Sequence, residues 1–157
     1  MSIITLTTDF GTKDHFVAKI KAAIISDSPE TNIVDISHKI SPFNIMEAAY
    51  VIENSYKHFP EKTIHIIGVD SEKNPENKHL VVKLNQQYFI CADNGIMSIV
   101  CNKLNPDGIY EINIHDKIES NDSALKTFTQ VACHLAKGGK PEIIGKSITK
   151  IRSAKSS

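Results

Sequence analysis

The sequence predicts an α/β fold of three layers, α/β/α, around a mainly parallel central sheet. Short β-branched runs alternate with amphipathic helical stretches as far as residue 69, and the order βαβαβ favours a parallel, right-handed layered arrangement. A chain of 157 residues fits one domain with one apolar core and is too short for two well-developed ones. A hairpin-like pair of strands after residue 79 extends the sheet.

Residues 3–8 read as the first strand, stopping at Asp9 and a Gly11-Thr12 turn. From Asp14 to about Ser26, Phe16, Ile20, Ala23 and Ile24 recur at helical spacing, and Pro29 closes the following turn. Residues 32–37 form a second strand. Ser41-Pro42 opens a second helix, with Ser as cap and Pro in the first turn, and Ile45, Ala48, Ala49, Ile52, Tyr56 and Phe59 make its apolar stripe before Pro60. Residues 63–69 are a third strand. The polar stretch from Asp70 to Lys78, containing Pro75, is an exposed loop. Residues 80–84 and 88–91 pair as a hairpin around Asn85-Gln86-Gln87, and Asp93-Asn94-Gly95 starts a short helix. Residues 109–114 are a further strand. Phe128, Val131, Ala132 and Leu135 mark a last helix that ends at Gly138-Gly139. The expected division is a folded unit at 1–146 and a basic tail or linker stub at 147–157, frayed at its end.

Lys plus Arg and Asp plus Glu number 18 each, so no net field recruits nucleic acid or an anionic membrane. No apolar run reaches spanning length, and the N-terminus enters a strand without a basic leader. Cys91, Cys101 and Cys133 are odd in number and sit in apolar surroundings, which points to reduced, buried thiols and a cytoplasmic protein.

In open α/β sheets, ligands bind outside the carboxyl ends of the strands. Four polar features fall there: Asp9 with Asp14, Ser37-His38 with Phe43, Asp70, and Asp93-Asn94. Each alone is ordinarily a cap or turn residue, and capping is the plain role for Asp9 or Asp14; four on one rim favour a ligand. Ionised carboxylates only accept hydrogen bonds, so the ligand that suits them offers hydroxyls and positive charge. His15, His38, His58, His65, His79, His115 and His134 lack metal-ligand spacing, and no metal is assigned. Neither glycine-rich phosphate fingerprint is present, nor a Gly-x-Ser-x-Gly elbow. Ser37 and His38 are adjacent in a strand and point to opposite faces, so they make no nucleophile–base pair.

Three ordered blocks carry a family resemblance. They are Thr5-Leu-Thr-Thr-Asp-Phe-Gly-Thr-Lys-Asp-His-Phe-Val17, Ile33-Val-Asp-Ile-Ser-His-Lys-Ile-Ser-Pro-Phe-Asn-Ile-Met-Glu-Ala-Ala-Tyr50 and Cys91-Ala-Asp-Asn-Gly-Ile-Met-Ser98, supported by Phe128-Thr-Gln-Val-Ala-Cys-His-Leu-Ala136. Together they resemble the N-terminal domain of the S-adenosylmethionine (SAM) hydroxide adenosyltransferases, relatives of the fluorinase and chlorinase enzymes. The resemblance implies hydrolysis of SAM to adenosine and methionine by water or hydroxide attack at C5′, with no cofactor. It implies that Asp9 holds the ribose hydroxyls, Asp14 approaches the substrate ammonium, Phe43 packs near the sugar, Asn94 lies in the pocket and Asp70 orients the attacking water.

Two departures stand out. The arginine that follows the loop aspartate in the hydrolases has no counterpart; Lys78, about one residue out of register, is the cation that would supply its charge, as a point cation rather than a planar fork. The histidine before the last helix is replaced by Ser123 or its neighbours, with His79 and His115 as stand-ins. The resemblance also implies a C-terminal β-barrel-like domain that completes the pocket of a neighbouring subunit in a homotrimer, and the expectation from these 157 residues is an α/β domain lacking it. The alternative function is therefore a catalytically weakened SAM- or nucleoside-binding or oligomerisation module. Nothing specifies a halide pocket.

Overall fold

The computed structural model describes residues 2–72, 77–114 and 123–154. Pro75 and His115 lie outside the described residues, as does the side chain of Ser123. The elements are β1 (Ile3–Thr8), α1 (Phe16–Asp27), β2 (Asn32–Ser37), α2 (Ile45–Ser55), β3 (Ile64–Gly68), β4 (His79–Leu84), β5 (Gln87–Ala92), α3 (Ile96–Cys101), β6 (Gly108–Ile112), α4 (Ser123–Ala136) and β7 (Gly145–Ile148). Among the described residues the strands form one seven-stranded sheet in the order β2-β1-β3-β5-β4-β6-β7. The first four in that order are parallel, whereas β4, β6 and β7 are joined by antiparallel pairing, so the sheet is mixed.

Burial on both faces explains the apolar runs. On one face, Ile20 and Ile24 of α1 and Phe128, Val131 and Ala132 of α4 pack on Ile4, Leu6, Ile64, Ile66, Val81 and Ile90. On the other, Ala48, Ala49 and Ile52 of α2 and Met97 and Val100 of α3 cover Ile67, Leu80, Val82, Leu84 and Phe89. Consecutive residues such as Leu80, Val81 and Val82 thus enter opposite cores, as period-two alternation demands of a strand covered on both sides. Cys91, Cys101 and Cys133 are buried free thiols, and burial pushes Cys101 and Cys133 each up to about 11. No helix among the described residues is long and apolar enough to cross a membrane.

Two expectations are corrected. α2 starts later than Ser41-Pro42: its cap is Asn44, whose side chain accepts from the Glu47 N–H at 3.0 Å, while Glu47 reaches back to the Ser41 N–H. Asn-x-x-Glu is the stronger capping signal, and Phe43, at φ +62°, breaks helical continuity just before it. The chain also does not become a solvated tail after Lys146. The 146/147 division falls inside β7, which pairs with β6 from Ile112↔Gly145 to Ile109↔Ile148, and Ile151 then packs on the α2/α3 core.

One buried polar group has a measurable consequence. His65 sits between the Thr5 hydroxyl (2.6 Å) and Gln87 Oε1 (2.5 Å) and stacks on Phe89. Burial lowers its pKa to about 4 from an ordinary 6.5, with the Gln87 bond opposing. Between those values the unfolded chain binds the proton that the folded chain excludes, so stability is full above pH 6.5 and declines as pH falls toward 4. Urea unfolding should show His65 removing roughly 3 kcal/mol over that window. An imidazole that titrates near 6.5 in the folded protein would contradict this.

Candidate functional site

The β1–α1–β2 unit lies to one side of β1, and β3 returns on its other side, so the strand order reverses between β1 and β3. The carboxyl ends of these two strands therefore bound the crevice where open α/β sheets bind ligands. Thr8 pairs with Gly68, and the Asp9 N–H donates to the Gly68 carbonyl at 3.3 Å, which sets the Asp9 and Asp70 loops side by side. Asp9 Oδ2 accepts the Phe43 N–H at 3.0 Å and so ties the loop after β2 to the loop after β1. No hydrogen bond among the described residues engages Asp9 Oδ1 or the Asp70 carboxylate.

Asp70 has φ +48°, a left-handed conformation that Asp tolerates better than most residues. Its carbonyl and that of Val69 both accept from Asn94 Nδ2, at 2.8 and 3.2 Å, and Asn94 Oδ1 accepts the Ile96 N–H at the start of α3. Asn94 lies at the rim, with its amide donors committed to bracing the Asp70 turn. Phe43 projects its ring outward at 72% exposure.

The other two predicted residues are turned to local partners. Asp14 is exposed, and its Oδ1 accepts the His15 N–H at 2.8 Å and meets His15 Nδ1 at 2.7 Å. These bonds, the backbone one foremost, lower its pKa. It does not cap α1, whose N-cap is His15. Lys78 leads into β4 at the same rim, yet its ammonium lies 3.5 Å from Glu111 on β6, beyond β4 from the crevice. His79 is buried against Phe128, with Nε2 at 2.6 Å from the Ser71 carbonyl, in a structural setting next to the Asp70 loop.

The sequence reading missed Arg152, the one arginine of the chain. The segment after β7 returns to the rim, where the Arg152 N–H donates to Asp93 Oδ1 at 2.8 Å and its guanidinium bonds Asn77 Oδ1. Half-burial raises the Asp93 pKa against the pull of Arg152. The Ala154 N–H bonds Ser98 Oγ, and a Cβ on Gly95, at φ +99°, would meet the Ala154 backbone at 2.8 Å, which accounts for glycine there. Its position in a Ser- and Lys-rich stretch hid this role, and its solitude was the signal available.

A cavity of about 720 Å³ lies at the opposite end of the sheet, bordered by Ser2, Thr63, Lys83, Tyr88 and Gly138, and none of the rim residues lines it.

The family model for the SAM hydroxide adenosyltransferase N-terminal domain matches residues 4–145. The chain belongs to this family. Within it, the chain is 36% identical over 118 residues to an (R)-S-adenosyl-L-methionine hydrolase of Methanocaldococcus jannaschii, covering 72% of this chain and 44% of that protein. It is 37% identical over 62 residues to a fluorinase of Actinoplanes, covering 40% of this chain and 21% of the fluorinase. A crystal structure of an uncharacterized conserved protein from Thermotoga maritima superposes with a TM-score of 0.88 at 31% identity, covering 97% of this chain and 61% of that one. The chain spans about half the length of the curated hydrolases it matches. Among SAM hydroxide adenosyltransferases it thus aligns with the N-terminal unit, where the β1/β3 crevice lies.

Proposed function

We propose that the crevice binds SAM and hydrolyses it to adenosine and methionine. The observation that carries this reading is the juxtaposition of Asp9 and Asp70 at the β1/β3 reversal in a chain related to SAM hydrolases. Asp9, held through Oδ2 by the Phe43 N–H, receives the two ribose hydroxyls, since a carboxylate has lone pairs for several donors and a diol offers two. Phe43 covers the sugar. Asp70, its backbone braced by Asn94, accepts a hydrogen bond from the attacking water and takes its proton. The new C5′–O bond forms as the C5′–S bond breaks, and its electron pair leaves on sulfur as neutral methionine. A sulfonium and a hydroxide lose charge toward the transition state, so exclusion of water favours the step.

The exposure of Phe43 fits a site whose adenine side is closed by a further element, as the homotrimer implied by the resemblance would provide. In this reading Asp14 leaves His15 for the substrate ammonium, and Lys78 leaves Glu111 to supply positive charge. One observation favours a second reading, a binding module without turnover: the Lys78 ammonium is paired with Glu111 rather than turned toward Asp70. Incubation with SAM and chromatographic detection of adenosine and methionine, beside calorimetry with adenosine, separates the two. Products support hydrolysis, adenosine binding without products supports the module, and neither result overturns both.

A further inference from the structure

We propose that His38 is a positioning residue of this site, acting through Thr8 to hold Asp9 and Phe43 in the geometry that receives the sugar. His38 is only 7% exposed and links the end of β1 to β2. Its Nε2 lies 2.7 Å from Asp35 Oδ1, and its Nδ1 lies 2.7 Å from Thr8 Oγ1. Asp35 is also paired with Lys21 at 2.6 Å. A carboxylate only accepts, so Nε2 carries a proton toward Asp35, and in the neutral ring Nδ1 accepts the Thr8 hydroxyl proton. Thr8 Oγ1 in turn accepts the Phe10 N–H at 3.3 Å.

The backbone repeats the connection. The His38 carbonyl accepts the Gly11 N–H at 2.7 Å, and the Thr8 carbonyl accepts the Ile40 N–H at 3.4 Å. Asp9 therefore lies between residues on both sides that His38 secures, and the same β2-exit loop runs on to the Phe43 N–H that bonds Asp9 Oδ2. The exit loops of β1 and β2 are thus tied by the Asp9 carboxylate, by the two backbone bonds and by the His38–Thr8 bond, which is the side-chain link nearest the strand ends. Asp35 and Lys21, at the outer end, fix which imidazole nitrogen carries the proton. The consequence for binding rests on the reading of Asp9 as the ribose carboxylate; the consequence for loop order does not.

The test uses the full chain with His38→Gln, Thr8→Val and the double variant. Thr8→Val keeps the shape of the side chain and removes one hydroxyl, so it reports even if His38→Gln fails to fold. Each single change should speed amide exchange at Gly11 and Phe43 by about tenfold while amides of β4 and β5 stay as in the wild type. Calorimetry should show adenosine binding about tenfold weaker in each. The double variant should be no worse than the worse single one, because both remove the same link. Nitrogen-15 spectra of the wild type should show His38 protonated on Nε2. Unchanged Gly11 and Phe43 exchange, a uniform speed-up across the sheet, additive effects or an Nδ1-protonated ring would each overturn the proposal. Exchange that responds as stated in a protein that binds no adenosine supports the positioning role and overturns the reading of the site.

Discussion

Asp9→Ala should abolish measurable adenosine binding. Two hydrogen bonds from a diol to an ionised carboxylate contribute on the order of 3 kcal/mol or more, so affinity should fall by at least about 100-fold. The same change also frees the Phe43 N–H, which Asp9 Oδ2 accepts at 3.0 Å, so part of the loss comes from a loosened sugar cover. Asp9→Asn separates the contributions. It retains an acceptor oxygen for Phe43 and loses the charge, and it should bind adenosine more weakly than wild type but better than Asp9→Ala. Because ribose contacts persist from substrate to transition state, the kinetic signature is a raised KM with a smaller change in kcat. Calorimetry reads the first effect and initial rates the second. Wild-type affinity in Asp9→Ala would remove the ribose carboxylate from this site.

Asp70→Asn should show the opposite signature. Asparagine tolerates the left-handed backbone at φ +48° and leaves the Asp70 carbonyl for Asn94, so fold and adenosine affinity should be unchanged. What disappears is a carboxylate that accepts the proton of the attacking water, and loss of such a base ordinarily lowers kcat by about 10²–10⁴-fold. Thermal melting and adenosine calorimetry provide the controls. An unchanged kcat would mean that water is activated elsewhere, and a lost adenosine affinity would mean that Asp70 binds rather than activates.

The contrast between these variants follows from features that sequence reasoning reached and features it did not. Asp9, Asp70 and Asn94 were legible because each follows a strand whose period-two or β-branched run is strong, and the rule that parallel strands gather their exits on one rim does the rest. β2 and the β4–β5 hairpin were legible for similar reasons, through Asn32–Ser37 and the turn at Asn85-Gln86. The start of α2 was misplaced because Phe43 adopts a positive φ that nothing in its own chemistry signals, and the Asn44–Glu47 pair that decides the boundary was overlooked.

The remaining misses are long-range. β7 has four residues, of which Lys146 and Ser147 are exposed, so its pattern is too short and too polar to read as a strand. It is a strand through its antiparallel pairing with the outer edge of β6. Arg152 bonds Asp93 and Asn77, which lie 59 and 75 residues earlier, and no local pattern reports such partners. Lys78 is paired with Glu111, supplied by β6 on the far side of β4, a partner that its place in the chain does not report. Local chemistry located the rim, and sheet topology decided which charged groups on it face one another.

Oxygen-isotope tracing tests the central claim most directly. The full chain is incubated with SAM in water enriched in oxygen-18, and the products are examined by mass spectrometry. The expected result is adenosine carrying the heavy oxygen on its 5′-hydroxyl together with unlabelled methionine, both formed about 10²–10⁴-fold more slowly by the Asp70→Asn variant. Intact SAM after prolonged incubation with wild type, or adenosine without the label, would contradict water attack at C5′ in the β1/β3 crevice.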